Sequence, residues 1–268
     1  MLRDASRTTR EDAPPDVKPG RRERPGLELL AVLGVSLGMS GIYALLSLVR
    51  AEITVQGGIG ATQTTVVSGA QTVHPWLDLL DDLADLLHGL APPLLAIVLL
   101  LRWPGGRGLG IGLDFTRKRV EALQGLGFLA LIGIPGLGLV YLANRFGFNA
   151  SLNVVSFPDV WYRVPYLLLS AFQNGLAEEI VVVGFMLTRL RQCGWTNERA
   201  LLASATLRGS YHLYQGFGGF AGNFVMGLIF GWWFQRTRRV APLVIAHFLL
   251  DAISFIGYVY LHGKISWI

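Results

Sequence analysis

The run Asn174-Gly175-Leu176-Ala177-Glu178-Glu179-Ile180-Val181-Val182-Val183-Gly184-Phe185 sets two adjacent carboxylates in a segment as apolar as the middle of a bilayer. An ionised carboxylate at the centre of a membrane helix costs about 3 kcal/mol or more, so it must face protein or trapped water, and its default meaning is a functional site. Any fold of this chain has to supply partners for Glu178 and Glu179. Two later apolar stretches offer them: Leu207-Arg208-Gly209-Ser210-Tyr211-His212, and His247-Phe248-Leu249-Leu250-Asp251.

The whole chain supports a membrane setting. It is 52% apolar and 15% charged over 268 residues, with a mean hydropathy of +0.46, whereas a soluble domain carries about 25% charged residues. The expected fold class is therefore all-α, a polytopic transmembrane helix bundle. A pI near 9.6 does not point to nucleic acid here, because the basic residues sit at the ends of apolar segments, where they orient the chain and meet anionic lipid headgroups. Cys193 is the single cysteine and has no internal disulfide partner, so helix packing must hold the fold.

Residues 1–26 mix seven Arg and Lys with acidic residues, Pro and Gly, and read as a disordered cytoplasmic tail. Residues 27–268 read as the transmembrane domain, with 162–260 carrying the chemical motifs. The expected spans are Leu27 to Val49, a second ending at Leu101 after His88, Pro92 and Pro93, Ala122 to Ala143, Tyr162 to Thr188, a helix reaching His212, Phe220 to Phe234 and Ala241 to Tyr260. Trp76 to Leu87 reads as an amphipathic lead-in with its aspartates on a solvated face. It raises the count from seven to eight if it forms a helix of its own. Basic residues fall in alternate loops, which places the N-terminus in the cytoplasm and suits a multi-pass protein of the bacterial plasma membrane. Gly222, Gly227 and Gly231 form a small-residue face for close helix contact.

At about 1.5 Å of rise per residue, Glu178 lies roughly 15 Å, His212 roughly 18 Å, and His247 and Asp251 roughly 9 and 15 Å from the cytoplasmic ends of their helices. These groups share one layer, and His247 and Asp251, four apart, share a helix face. Such a layer can hold a water, with the carboxylate as general base and the imidazoles as orienting or charge-stabilising partners. It can equally bind a divalent metal such as zinc through Glu178, His212 and His247. A His-Glu-x-x-His helix and a Gly-x-Ser-x-Gly elbow are both absent from the sequence.

From Tyr166 to Ile256 the chain resembles the CPBP (Abi) family of intramembrane proteases, which includes the type II CAAX prenyl endopeptidases. That family carries Glu-Glu-x-x-x-Arg, Phe-x-x-x-His and His-x-x-x-Asn/Asp motifs on separate helices. The resemblance implies an intramembrane endopeptidase acting on a membrane-associated peptide or protein. In it Glu178 activates water with help from His212, Glu179 supports Glu178, and His247 with Asp251 stabilises the oxyanion. Two positions depart from the pattern: Val183 stands where the family has arginine, and Arg208 where it has phenylalanine. Because a buried arginine and a buried glutamate each need a partner, Arg208 is expected to reach across the helix interface to Glu179. Asn174, one turn before Glu178, is a supporting polar residue. The competing expectations are a non-catalytic immunity or assembly factor of the same family, for which Val183 speaks, and a proton-coupled transporter, against which the lack of inverted repeats counts.

Overall fold

The computed structural model describes residues 24–69, 71, 74–102, 110–114 and 116–264. Nine α-helices are found among them. Helix α1 (Pro25–Gly34) begins on a proline, where the missing N–H costs nothing, and α2 (Leu37–Thr54) follows at a bend of 50°. The expected tail falls on residues 1–23, outside the described residues, and α1 already starts at Pro25. Helix α3 (Pro75–Leu101) runs unbroken through Pro92 and Pro93, and α4 (Lys118–Arg145) through Pro135.

The central span is composite. Helix α5 (Arg163–Glu178) passes into a π-helical segment, Glu179–Phe185, and then into α6 (Met186–Gln192). Helix α7 (Asn197–Ser210) is capped by Thr196, whose Oγ1 accepts from the Arg199 N–H at 3.3 Å. Helices α8 (Phe217–Thr237) and α9 (Ala241–Leu261) complete the bundle.

Five helices are long and apolar enough to cross a bilayer, or six if α1 and α2 form one broken span. The difference from the expected seven to eight has two sources. Helix α7 has 14 residues, a rise of about 21 Å against a hydrocarbon core of about 30 Å. The lead-in at Trp76 is no separate helix but the first half of α3. Nor is its acidic run a uniform solvated face. Asp78 and Asp82, one turn apart, are buried, while Asp81 and Asp85 are exposed.

In the composite span Arg163–Gln192, 61% of the apolar window is buried, against 6% for α4. The two-glutamate helix is thus the axis of the bundle and α4 a lipid-facing wall. Ile180, Val181, Val182, Val183 and Phe185 are fully buried against Ile111, Phe230, Phe234 and Leu243. Two glycines set how near its neighbours come. A Cβ on Gly175 would lie 3.0 Å from the Phe248 backbone nitrogen, so α5 and α9 touch backbone to backbone. One on Gly227 would lie 2.9 Å from the Ala205 Cα, so α7 and α8 do the same. Gly231 also faces α7, at Leu201, whereas Gly222 faces Leu139 of α4.

At one end of the bundle, β1 (Gln63–Ser68) and β2 (Ser151–Ser156) pair in parallel, with Gln63 opposite Ser151 and Ser68 opposite Ser156. Sequence reasoning assigns no strand to either segment. Strand β2 is braced on the bundle: the Tyr258 hydroxyl donates to Asn153 Oδ1 at 3.0 Å, and the Ala150 N–H donates to the Gln215 carbonyl at 3.0 Å. At the opposite end Arg239 grips Glu121 and Asp114, and the Val240 N–H donates to the Ile111 carbonyl at 2.8 Å.

Candidate active site

Glu178 and Glu179 are successive residues, so on any helix they point to different sides. Each gathers its own set of partners. Oε1 of Glu179, a fully buried side chain, accepts from Arg208 Nη2 of α7 and lies 2.7 Å from His247 Nδ1 of α9. A carboxylate only accepts, so His247 carries its proton on Nδ1. Its Nε2 points toward Asp251 Oδ2, 3.8 Å away, and Asp251 Oδ2 also accepts from Asn174 Nδ2 at 3.3 Å. Arg208 is fully buried, and its guanidinium carbon stands 5.5 Å from the centre of the Phe230 ring. The arginine missing at Val183 is replaced in space by one from the next helix.

Glu178 faces the other way. Its Oε2 accepts from the Tyr211 hydroxyl at 2.7 Å, and the same oxygen lies 3.5 Å from Arg208 Nη2 and 3.7 Å from His212 Nε2. The Tyr211 hydroxyl and the Arg208 guanidinium therefore hold Oε2, with the His212 imidazole beside it, and no described residue donates to Oε1. His212 lies just beyond the end of α7 rather than within it. Neither of its ring nitrogens has a hydrogen-bond partner among the described residues, though both are buried. A buried donor or acceptor left unpaired costs about 1–3 kcal/mol, so this imidazole is set to bind something polar.

All the residues singled out in the sequence lie in this region: Glu178, Glu179, Asn174, Arg208, His212, His247 and Asp251. They form two subsites bridged by Arg208, not a single ring. The residue sequence reasoning missed is Tyr211. Its signal was the spacing from Arg208: three apart on a helix, the two side chains share a face, and Arg208 was already expected to point at the glutamates.

The site is expected to open toward the end that carries the basic loops. Exposure across the site is uneven. Side-chain exposure is zero at Glu179 and Arg208, 5% at His247, 12% at Glu178, 15% at His212 and 24% at Asp251. The groups with more exposure are those displaced toward the β1–β2 end. On the other side Phe185, Leu187 and Ile111 pack with 1% exposure or less, and Arg189 is buried against Glu28 and the Leu99 carbonyl, 2.7 and 2.8 Å away.

The arrangement does not fit a divalent metal. No three His, Cys, Asp or Glu side chains among the described residues converge at metal-binding distances. Glu178, the central donor of the expected set, already has a guanidinium 3.5 Å from Oε2 and a hydroxyl bonded to it, and cationic Arg208 opposes a dication there.

Residues 160–253 match the model of a family described as type II CAAX prenyl endopeptidase Rce1-like. The match covers about a third of the chain, from the start of α5 to beyond Asp251, and so includes every residue of both subsites. It relates the chain to the CPBP family, a family of membrane endopeptidases. No curated protein and no solved structure matches the chain.

Proposed function

We propose that this chain is an intramembrane endopeptidase that hydrolyses a peptide bond of a membrane-associated substrate with a water activated by Glu178. The observation that carries the reading is the held carboxylate: the Tyr211 hydroxyl and the Arg208 guanidinium hold Glu178 Oε2, and the unpartnered His212 imidazole stands 3.7 Å from it. A buried pair serving stability alone has no need of an unpartnered imidazole beside it.

In the proposed reaction a water bound between Glu178 Oε1 and His212 gives its proton to Glu178, and its oxygen attacks the carbonyl carbon of the scissile bond. His247, kept in orientation by Glu179 through Nδ1 and by Asp251 near Nε2, offers its charge to the developing oxyanion. Collapse of the tetrahedral intermediate breaks the C–N bond, and the proton held by Glu178 passes to the leaving amine. No step requires a metal. The setting proposed is a bacterial plasma membrane, with the bilayer supplying the substrate.

The test is a comparison of peptide termini in membranes of cells carrying the wild type with those carrying Glu178→Gln. Removing a general base lowers turnover by about 10²–10⁴-fold, so termini present with the wild type disappear in the variant. If the same cleavages persist in Glu178→Gln, or vanish when a chelator is added to the wild type, the mechanism is refuted. A binding or assembly factor would keep complementing with Glu178→Gln and His247→Ala.

A further inference from the structure

Beside the site, α2 and the start of β1 enclose a groove of about 290 Å³, lined among others by Arg50, Thr54, Gln63, Thr64 and Tyr214. Nothing in the reaction just described uses it. Three observations give it an occupant.

The first is an open strand edge. The Thr62 carbonyl accepts from the Ser151 N–H at 2.8 Å. In a parallel ladder alternate residues turn their N–H and C=O to the partner strand. The backbone groups of Gln63 and Thr65 therefore point away from β2. Strand β2 is covered by α9 through Tyr258, so the edge of β1 is the one left for pairing.

The second is charge. Arg50 is exposed on the groove, with no ion pair among the described residues. The remaining lining named above is uncharged, so an occupant bearing a carboxylate is favoured there.

The third is continuity with the chemistry. Tyr214 lines the groove and its ring stacks on His212, with centroids 6.3 Å apart, and His212 lies 3.7 Å from Glu178. The turn carrying Tyr214 is tied to the start of β2 by the Ala150 to Gln215 and Asn149 to Gly216 contacts. The groove and the catalytic imidazole are parts of one bracket.

We propose that the groove between α2 and β1 docks the substrate: an extended peptide adds to the open edge of β1, sets a carboxylate against Arg50, and leads past Tyr214 to Glu178. Strand addition suits a protease because main-chain hydrogen bonds hold any sequence extended, while a single charged contact fixes its register. The carboxylate is either the chain terminus or an Asp or Glu side chain. This rests on the endopeptidase reading, but binding is measurable without turnover.

The experiment uses the full chain with Glu178→Gln in lipid nanodiscs and three fluorescein-labelled hexapeptides, read by anisotropy. One has a free C-terminal carboxylate and neutral side chains, one an internal Glu and an amidated end, and one is amidated and neutral throughout. One acid-bearing peptide is expected to bind about tenfold or more tighter than the neutral one, and which of them does so identifies the source of the carboxylate. Arg50→Gln should reduce it to the neutral level. Gln63→Pro, which deletes one outward N–H at a position an edge strand tolerates, should weaken all three. Equal binding of the three, or no change with Arg50→Gln, overturns the proposal. If binding depends on Arg50 yet the wild type cleaves nothing, the endopeptidase reading fails and the groove stands. If the wild type cleaves substrates and Arg50→Gln and Gln63→Pro change neither binding nor cleavage, the groove fails alone.

Discussion

Replacing Arg208 by methionine removes the cation that faces both glutamates. Glu179 is fully buried, and breaking a buried pair by deleting one partner costs about 3–5 kcal/mol, because the other charge is stranded. Here the loss falls at the low end, near 3 kcal/mol, since His247 Nδ1 stays 2.7 Å from Glu179 Oε1. Glu179→Met strands the arginine instead, with Glu178 at 3.5 Å and the Phe230 ring as its remaining company, for about 3–5 kcal/mol. The double variant has neither charge. Apolar replacement of a whole buried pair is often neutral or better, and the acceptor lost to His247 costs about 1 kcal/mol. The double variant is then about 1 kcal/mol less stable than the wild type, although the single losses add to about 6–8 kcal/mol. Reversible unfolding in bicelles, followed by steric trapping, measures all four proteins. If the double variant loses the full sum, Arg208 and Glu179 are not coupled, and the arginine does not stand in for the one absent at Val183.

Tyr211→Phe deletes a 2.7 Å hydrogen bond to Glu178 Oε2; a bond to a charged group is worth about 1.5–3 kcal/mol, so kcat/KM falls by about 10–100-fold, carried by kcat. A rise in KM at unchanged kcat would show that the hydroxyl meets substrate and not the base. Outside the membrane, Arg239 bonds Asp114 at 2.7 Å, and that bond first, then those from Thr116, hold the Asp114 carboxyl below its ordinary range. A carboxyl lowered in the folded state adds stability at every pH above about 4 and loses it as the medium becomes strongly acidic. Melting temperatures of wild type and Asp114→Asn should therefore differ at neutral pH and converge at the acid end, by a small amount because the pair is exposed. A constant gap across the range would mean the contact is not ionic.

How much of this was legible in the sequence depended on the period of the signal. Buried charges in apolar runs announced Glu178, Glu179, His212, His247 and Asp251, because nothing else in such runs is so costly. Arg208 was reached by demanding a partner for a charge. Tyr211 was not, since an aromatic beside a histidine near a helix end reads first as an interfacial anchor. The strands escaped for a different reason: Gln63–Ser68 and Ser151–Ser156 are six residues each, with two valines apiece, and pair across 88 positions. No local pattern encodes that register.

The segment Glu179–Phe185 carries Val183 where the family pattern has arginine, and Glu179 meets its cation from outside that segment. In a regular α-helix residue 183 sits one turn after Glu179 on the same face, where an arginine pairs with it. Here the helix is π-wound from Glu179 onward, so backbone bonds run from i to i+5 and the turn is wider than in an α-helix. Gly184 follows Glu179 by five residues, and a Cβ added there would lie 3.6 Å from the Glu179 carbonyl. Within this segment the Val182 carbonyl accepts from the Ser204 hydroxyl of α7 at 2.9 Å inside the core. That contact lies one turn before Arg208 on the same helix, so the bond that satisfies the π segment also presents the arginine to Glu179. The cation facing Glu179 thus comes from α7 and not from its own helix, while Glu178 turns the other way, toward Tyr211 and His212.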